Sequence, residues 1–326
     1  MSVGRVLVTG GAGFIGSALV RRLAASGIAV RVLDDLSIGR RAYLDGQPCE
    51  LLVGTLTDPE AVATAVAGCD AVVHLAARAG IPDSVTDPLG TFEANVTHTV
   101  RMLDAARIAG ARRFVLASSN AVLGPHVPPA DETVLPRPSS PYGASKLAGE
   151  GYVTAYADTY GMAACALRFS NAYGPRSLHK KSVVAAWIRA GLAGAPLTIH
   201  GDGEQTRDFV HVDDLAGAIL AALRAPEDRV AGAVLQVGTG RETTVNELAA
   251  TLERAMGHPL SVERGPVRPG DVSRNSSRVD RAAELLGWRS QVELLEGLQE
   301  TAAWFEAALA TPALAGVVPD SRSGSE

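Results

Sequence analysis

The chain has 326 residues, 47% of them hydrophobic, which is enough apolar material for one large domain and a smaller one. Its formal net charge of −5 gives no basic field for a nucleic-acid backbone, so we expect small-molecule partners and no nucleic acid. Three cysteines without C-x-x-C spacing favour neither a disulfide framework nor a zinc site, so we expect no metal and a reducing, cytoplasmic location. The sequence shows no signal-peptide pattern and no apolar run of membrane-spanning length, which predicts no membrane partner.

Short β-branched runs alternate with helical patterns through the first half of the chain. The runs are RVLVT (5–9), VRVLD (30–34), ELLVG (50–54), AVVHLA (71–76), RFVLAS (113–118) and ACALRF (164–169). Strands that are apolar throughout are typical of a parallel sheet with helices on both faces. The predicted fold class is therefore α/β, a Rossmann-like doubly wound parallel sheet that binds ligands at the carboxyl ends of its strands.

The alternation loosens after about residue 171. Helices are expected near 183–193, 212–224, 244–256 and 292–308, separated by loops rich in Gly, Pro and Arg. This pattern predicts a smaller, interleaved C-terminal substrate domain of about 173–207 and 239–312. The dinucleotide-binding domain would comprise 1–172 and about 208–238, and the polar, turn-rich end (313–326) predicts a flexible tail.

The segment RVLVTGGAGFIGSALVRRL combines a strand, a glycine turn and a helix start. Gly10, Gly13 and Gly16 are spaced three apart, and Gly11 completes G-x-G-x-x-G. Glycine lets backbone N–H groups approach a pyrophosphate, and the helix N-terminus adds partial positive charge. Asp34 ends the second strand, where a carboxylate accepts hydrogen bonds from a ribose diol and repels a 2′-phosphate. These features predict NAD as the cofactor.

Tyr142 and Lys146, in SSPYGASKLAGE, lie four residues apart at the start of a helical pattern that runs on to Tyr160. This spacing places both side chains on one face of a helix. A tyrosine titrates near pH 10, so a base near pH 7 needs about 4 kcal/mol of stabilisation from neighbouring positive charge. Lys146, helped by a cationic nicotinamide, is the expected source of that charge.

Seven motifs, in this order, resemble the extended short-chain dehydrogenase/reductase family over roughly residues 4–310, and in particular nucleotide-sugar epimerases of the UDP-galactose/UDP-glucose 4-epimerase type. They are TGGAGFIG, HLAA, NVTHT, ASSNAVLG, SPYGASK, LRFSNAYGP and GDGEQTRDFVHVDD. By this resemblance Tyr142 is the base on the sugar 4-hydroxyl, Lys146 lowers its pKa and binds the nicotinamide ribose, and Ser119 hydrogen-bonds the same sugar oxygen.

The resemblance also implies cofactor contacts beyond the glycine turn and the catalytic pair. These are Phe14, Ile15, Asp34, Asp35, Asp58, Leu75, Ala76, Ala77, Asn95 and Ser118. A homodimer is implied as well, formed through the helix that contains Tyr142 and through residues 91–109.

The resemblance further implies a UDP-sugar substrate. Its diphosphate and ribose would be held by Asn171, Arg207, Arg268 and Asp271, since guanidinium groups suit phosphate oxygens. Asn275 falls where the resemblance places a residue lining the hexose pocket, and some family members carry tyrosine there. The smaller Asn275 predicts room for a 2-acetamido group, with a polar loop residue that faces water as the alternative. Leu123 departs from the family pattern, because it replaces the tyrosine of the V-Y-G element and removes one contact near the sugar.

Asn120 and Ala121 distinguish this chain from relatives that continue beyond oxidation at C4. Sugar 4,6-dehydratases resemble it but carry Asp and Glu at these two positions, because eliminating water needs an acid and a base beside C5 and C6. UDP-glucuronate decarboxylases carry Glu at the second position. With neither acid present, the resemblance implies oxidation at C4, reorientation of the 4-keto sugar and return of the hydride to its opposite face, which is 4-epimerisation.

Several alternatives stay open. The enzyme could be a UDP-glucuronate 4-epimerase, or another nucleotide-sugar epimerase or dehydratase of the family, or a non-catalytic NAD-binding sensor. The intact set of Ser119, Tyr142 and Lys146 argues against a sensor. The segment HKK (179–181) is interpreted as a solvated loop, with capture of a carboxylate or phosphate as the alternative. Arg40 and Arg41 are likewise interpreted as a solvated basic loop rather than as a 2′-phosphate site.

Overall fold

The computed structural model of the protein describes residues 3–267 and 273–311. All six predicted strands are present, each within two residues of its expected end. The elements up to β6 are β1 Arg5–Thr9, α1 Phe14–Ala25, β2 Ala29–Asp34, β3 Cys49–Val53, α2 Pro59–Val66, β4 Ala71–His74, α3 Ile81–Thr86, α4 Pro88–Phe92, α5 His98–Ile108, β5 Arg113–Ser119, α6 Pro141–Tyr160 and β6 Ala163–Phe169. Short 3-10 turns at Arg41–Leu44 and Asn120–Val122, and a π turn at Glu93–Thr97, lie between them.

The remaining elements include the four predicted helices, as α7, α8, α10 and α12. They are β7 Asn171–Tyr173, α7 Val183–Leu192, β8 Leu197–His200, β9 Thr206–Arg207, β10 Phe209–His211, α8 Val212–Arg224, α9 Glu227–Val230, β11 Val234–Val237, β12 Thr243–Thr244, α10 Val245–Met256, β13 Val262–Gly265, α11 Asp280–Leu286 and α12 Leu294–Leu309. Helix α10 has clear start and stop signals in its sequence. A capping box of Thr244 and Glu247 begins it, and Gly257, at φ 73°, ends it.

A seven-stranded parallel sheet forms the centre of the fold, in the order β11-β6-β5-β4-β1-β2-β3. The chain reverses direction across the sheet beside β1, so the carboxyl ends of β1 and β4 flank a crevice. The predicted Rossmann-like α/β class is confirmed. The seventh strand, β11, was not among the six runs because VLQV is only four residues long and carries a polar residue.

Alternate residues of each strand enter separate cores on the two faces of the sheet. Val6 and Val8 of β1 pack in the cluster that includes α1 and α8, whereas Leu7 packs with α2, α5 and α6. A third cluster joins α7, α10 and α12 around Trp187 and Phe305. It draws mainly on the ranges expected for the substrate domain, and the domain boundaries themselves stay a prediction.

Two further features concern the class of protein. Cys49, Cys69 and Cys165 are free thiols. Among the described residues, no helix combines the length and the apolar character needed to cross a membrane.

Candidate active site

The glycine turn after β1 requires glycine at its first and last positions for different reasons. Gly10 has φ 69°, and a Cβ there would lie 2.9 Å from the backbone N of Ala76. A Cβ on Gly16 would lie 2.1 Å from the carbonyl oxygen of Gly10, so α1 packs directly on the turn. α1 begins at Phe14 after Gly13, which has no side chain to cap the first N–H groups. The turn therefore presents free donors that fit a pyrophosphate.

Asp34 lies beside this turn, as predicted. Its Oδ2 accepts a hydrogen bond from Ala12 N at 2.9 Å and its Oδ1 accepts one from Leu36 N at 2.9 Å. Burial raises the pKa of Asp34, and the two backbone donors oppose that shift. The remaining lone pairs fit the hydroxyl groups of a ribose. Asp35 is exposed instead, and its carboxylate accepts hydrogen bonds from Ser37 within the following turn.

The loop after β4 borders the glycine turn. Leu75 N donates to Thr9 O at 3.2 Å, and Ala76 N donates to Thr9 Oγ1 at 3.3 Å, which places the predicted contacts 75–77 at the crevice. Asp58 is used differently, because its exposed carboxylate caps α2 by accepting from Glu60 N. Gly54, the residue directly after β3, donates its backbone N–H to Asp34 O at 3.1 Å and so holds the end of β3 beside Asp34.

Asn95 is buried and its amide is committed to the protein. Oδ1 accepts from Arg78 N at 2.8 Å, while Nδ2 donates to Arg78 O and to Ser145 Oγ, both at 3.0 Å. Asn95 therefore ties the loop that follows β4 to α6. In this arrangement it positions the crevice wall, and a direct contact with the cofactor stays a prediction.

The three predicted catalytic residues lie together. Ser119 is the last residue of β5, and Tyr142 is the second residue of α6, whose start is capped by Ser140 Oγ accepting from Gly143 N at 3.1 Å. Ser119 and Tyr142 hydrogen-bond through their side chains. Lys146 Nζ lies 5.9 Å from the centre of the Tyr142 ring and donates to Ala117 O at 3.0 Å.

Without a bound ligand, the surroundings of Tyr142 and Lys146 disfavour the charged form of both side chains. Burial raises the pKa of Tyr142, and the hydrogen bond from Ser119 only partly opposes it. Burial also lowers the pKa of Lys146 to about 8, although the charge of Glu150 counteracts the shift. In the chain without ligands the pKa of Tyr142 is therefore raised rather than lowered, although Lys146 lies beside its ring.

A buried network of hydrogen bonds between α6 and strands β5 and β6 was not predicted from the sequence. Glu150 is 3% exposed and Arg168 is 4% exposed, and they form a two-bond ion pair with both distances 2.9 Å. Ser118 Oγ donates to Glu150 Oε1 at 2.5 Å, so the structure engages this predicted cofactor contact with a carboxylate of the protein. The available signal was the spacing, since Glu150 follows Lys146 by one helical turn.

The segment after Ser119 contains no acid that faces the catalytic group. Asn120 is buried, and its Nδ2 donates to Ser277 Oγ at 2.8 Å and to Ser170 Oγ at 3.1 Å. Ala121 N donates to Ser119 Oγ at 3.2 Å. Leu123 is buried in a small apolar cluster with Val122 and Ala130, which explains why a residue without a hydroxyl group is accommodated there.

The predicted substrate contacts converge around residues 206–208, as far as they are described. Arg207 lies on β9, and its Nη1 donates to Thr206 O at 2.7 Å. Asn275 N donates to Thr206 Oγ1 at 3.4 Å, while exposed Asn171 on β7 donates its backbone N–H to Asp208 O at 2.9 Å. Asn275 Oδ1 is buried and makes no hydrogen bond to residues 3–267 or 273–311. Arg268 and Asp271 lie outside the described residues.

The interpretation of residues 179–181 as a solvated loop does not hold for His179 and Lys180, which are half-buried. Burial lowers the pKa of His179 to about 4 and that of Lys180 to about 8. The loop folds back on the glycine turn, so that Lys180 Nζ lies 4.9 Å from the centre of the Phe14 ring. Only Lys181 fits the interpretation, since it is exposed and lies 3.8 Å from Asp83.

Comparison with known proteins agrees with this geometry. Residues 6–238 match the model of the NAD dependent epimerase/dehydratase family. UDP-glucose 4-epimerase of Mycolicibacterium smegmatis is 40% identical over 310 residues, covering 92% of this chain and 98% of that protein. The crystal structure of the Thermus thermophilus UDP-glucose 4-epimerase complex with NAD superposes with a TM-score of 0.86 at 38% identity, covering 93% of this chain and 99% of that one.

A third relative is named for a different sugar nucleotide from the first two. UDP-N-acetylglucosamine 4-epimerase from Methanobrevibacter ruminantium, in complex with UDP-N-acetylmuramic acid, has a TM-score of 0.88 at 30% identity and covers 94% of this chain and 99% of that one. The family model spans the glycine turn, Asp34 and the Ser119–Tyr142–Lys146 group, and the similarity to the relatives extends over nearly the whole chain. This protein therefore belongs to the NAD dependent epimerase/dehydratase family.

Proposed function

We propose that this protein is an NAD-dependent UDP-hexose 4-epimerase, which oxidises the sugar transiently at C4 and returns the hydride to the opposite face. One observation distinguishes an epimerase from the other reactions of the family. Ser119, Tyr142 and Lys146 lie together, whereas the next two residues after Ser119 are Asn120, a buried and hydrogen-bonded amide, and Ala121. The chain can therefore move a proton at O4 but lacks an acid for elimination at these positions.

The residues fit the cofactor through a glycine turn without room for Cβ atoms, an uncapped start of α1 and the buried carboxylate of Asp34. When bound, NAD supplies the acceptor and the donor of the C4 hydride, together with a positive charge in its oxidised form. Tyr142 Oη would take the proton from the sugar O4 and later return it, while Ser119 Oγ holds the same oxygen. Lys146 keeps a cation beside the ring of Tyr142.

The experiment is incubation of the purified protein in D2O with UDP-glucose, UDP-N-acetylglucosamine and UDP-glucuronate, with product sugars resolved by chromatography and mass spectrometry. We expect a 4-epimer with no deuterium on carbon, because the hydride that leaves C4 is the one that returns. No reduced cofactor should accumulate. Deuterium in a 4-keto-6-deoxy product would show dehydration, and turnover of UDP-glucuronate alone would favour the uronate epimerase; either outcome would overturn the assignment.

We also infer that the hexose pocket admits a 2-acetamido group. Asn275 supports this inference, because its backbone is held to Thr206 and its buried Oδ1 makes no hydrogen bond to the described residues. An acetamido N–H is a donor that such an oxygen accepts. The M. ruminantium relative, named for UDP-N-acetylglucosamine, agrees with a pocket of this kind.

A homodimer in the cytoplasm is the remaining part of the proposal. A groove on the outer face of α5 and α6 is lined by Phe92, Val96, Tyr152 and Tyr156 among other residues. Phe92 is 54% exposed and Tyr152 is 43% exposed, which is costly for large apolar and aromatic side chains unless a second copy covers them. The three free thiols suit a reducing compartment.

A further inference from the structure

Lys180 lies between the start of α1 and strand β7. On one side its Nζ is 4.9 Å from the ring centre of Phe14, the first residue of α1. On the other side the same Nζ donates to Ala172 O at 3.2 Å, next to the predicted substrate contact Asn171. The loop that carries it is shaped by Arg176, at φ 68°, and by a hydrogen bond from Lys180 N to Ser177 O at 2.9 Å. The ammonium group is thus held in place rather than extended into solvent.

The surroundings of Lys180 are deficient in negative charge. Across the part of the chain that the structure describes, no carboxylate pairs with it, and its hydrogen-bond acceptor is a neutral carbonyl. Burial lowers its pKa to about 8. Its neighbour His179 is held neutral by burial and by the charges of Lys180, Arg40 and Arg189. A desolvated cation without a carboxylate partner is unfavourable unless an anion joins it.

We infer that Lys180 is a binding residue for a diphosphate group that enters the crevice between Phe14 and Ala172. A diphosphate provides concentrated negative charge and several acceptor oxygens, which suits a compact ammonium group. Two molecules could bring this group, the cofactor and a nucleotide sugar. The second source rests on the proposed function, whereas the first does not.

The test compares Lys180→Met and Lys180→Gln with Lys181→Met, which removes a neighbouring exposed charge. Each protein is used as purified. Calorimetry measures the affinity for UDP and for uridine, and gel filtration followed by nucleotide release measures the retained NAD. We expect both Lys180 variants to lose at least tenfold in UDP affinity, about 1.4 kcal/mol, or to retain at least tenfold less NAD. Uridine affinity should not change, and Lys181→Met should stay within twofold throughout.

Lys180→Arg keeps the positive charge and should restore whichever ligand is lost, which separates a charge effect from a folding effect. The ligand that weakens identifies the source of the diphosphate. The inference is wrong if both neutral variants hold UDP and NAD within twofold, if uridine weakens as much as UDP, or if arginine restores nothing. If the wild-type protein does not bind UDP, the proposed function fails while the NAD measurement still tests Lys180.

Discussion

At the scale of single residues, the site places Tyr142, the predicted base, in an environment that disfavours its charged form. Burial raises the pKa of Tyr142 and lowers that of Lys146 to about 8, so each group in the unliganded chain is driven towards its neutral state. We therefore expect a bound cation, such as the oxidised cofactor, to lower the pKa of Tyr142.

Tyr142→Phe should reduce kcat by about 10³-fold, because in the proposed mechanism the phenol exchanges the proton with O4. Retained NAD should stay at the wild-type level, since the hydroxyl group contacts Ser119. Tyr160→Phe, at the exposed far end of α6, is the matched control. Turnover by the Tyr142 variant within tenfold of wild type would contradict its role as the base.

Glu150→Gln should move the alkaline limb of the kcat/KM profile to lower pH. The negative charge of Glu150 raises the pKa of Lys146, so its removal lowers that pKa below about 8, and the buried cation is lost at a lower pH. Arg168, left without its carboxylate partner, is a nearby positive charge that also lowers the pKa of Lys146. The profile is measured from pH 6 to 10 with Glu306→Gln as an exposed control. An alkaline limb of the kcat/KM profile that stays at the same pH or moves to higher pH would contradict this role of Glu150.

Asn275→Tyr should lower the ratio of kcat/KM for UDP-N-acetylglucosamine over UDP-glucose by at least about tenfold, roughly 1.4 kcal/mol in transition-state binding. The phenol ring would occupy the space next to Asn275 Oδ1 and remove that acceptor. Ser273→Tyr, an exposed substitution two residues away, should leave the ratio unchanged. An unchanged ratio for Asn275→Tyr would show that Asn275 does not select the sugar.

At the scale of elements, the segment between β9 and β10 is joined to distant loops by a side chain that binds backbone N–H groups. Asp208 Oδ1 accepts from Thr239 N at 2.8 Å, and its Oδ2 accepts from Gly240 N at 3.1 Å and from Ser277 N at 3.4 Å. One buried carboxylate therefore gathers the end of β11 and the segment that bears Asn275. The position of the proposed sugar selector depends on these bonds.

Asp214, near the start of α8, provides a stability test of the same kind. Its buried carboxylate accepts from Gln291 N at 2.9 Å and from Val292 N at 3.0 Å, which anchors the approach to α12. Asp214→Ala should lower the free energy of unfolding by about 1–3 kcal/mol, because two part-buried N–H groups lose their acceptor. Denaturant unfolding measures the change, and Asp280→Ala, on the exposed start of α11, is the control. A loss below about 0.5 kcal/mol would contradict the anchoring role.

At the scale of the whole molecule, the crevice and the proposed dimer surface share one helix. α6 carries Tyr142 and Lys146 towards the crevice and Tyr152 and Tyr156 towards the outer groove. Pairing of two copies through this groove would hold the catalytic helix from its outer side. Phe92→Glu should therefore convert a dimer to single chains, since a carboxylate would be buried at the contact.

Light scattering during gel filtration measures the molecular mass for this test. Leu135→Glu, which replaces a residue 76% exposed outside the groove, should leave the mass unchanged. A wild-type protein that elutes as a single chain would contradict the dimer, as would a Phe92→Glu variant that remains dimeric.

The local elements and the catalytic group followed from the sequence because their signals are short-range. Strands that are apolar throughout, glycines spaced three apart and a Tyr–Lys pair one helical turn apart depend on backbone geometry that a few neighbouring residues determine. The tertiary structure decided what depends on distant packing. Asn95 and Ser118 form hydrogen bonds with residues 17 and 32 positions away in the chain, and Lys180 packs against Phe14. A side chain's charge state and partners depend on which surfaces bury it, and those surfaces come from segments far apart in the chain.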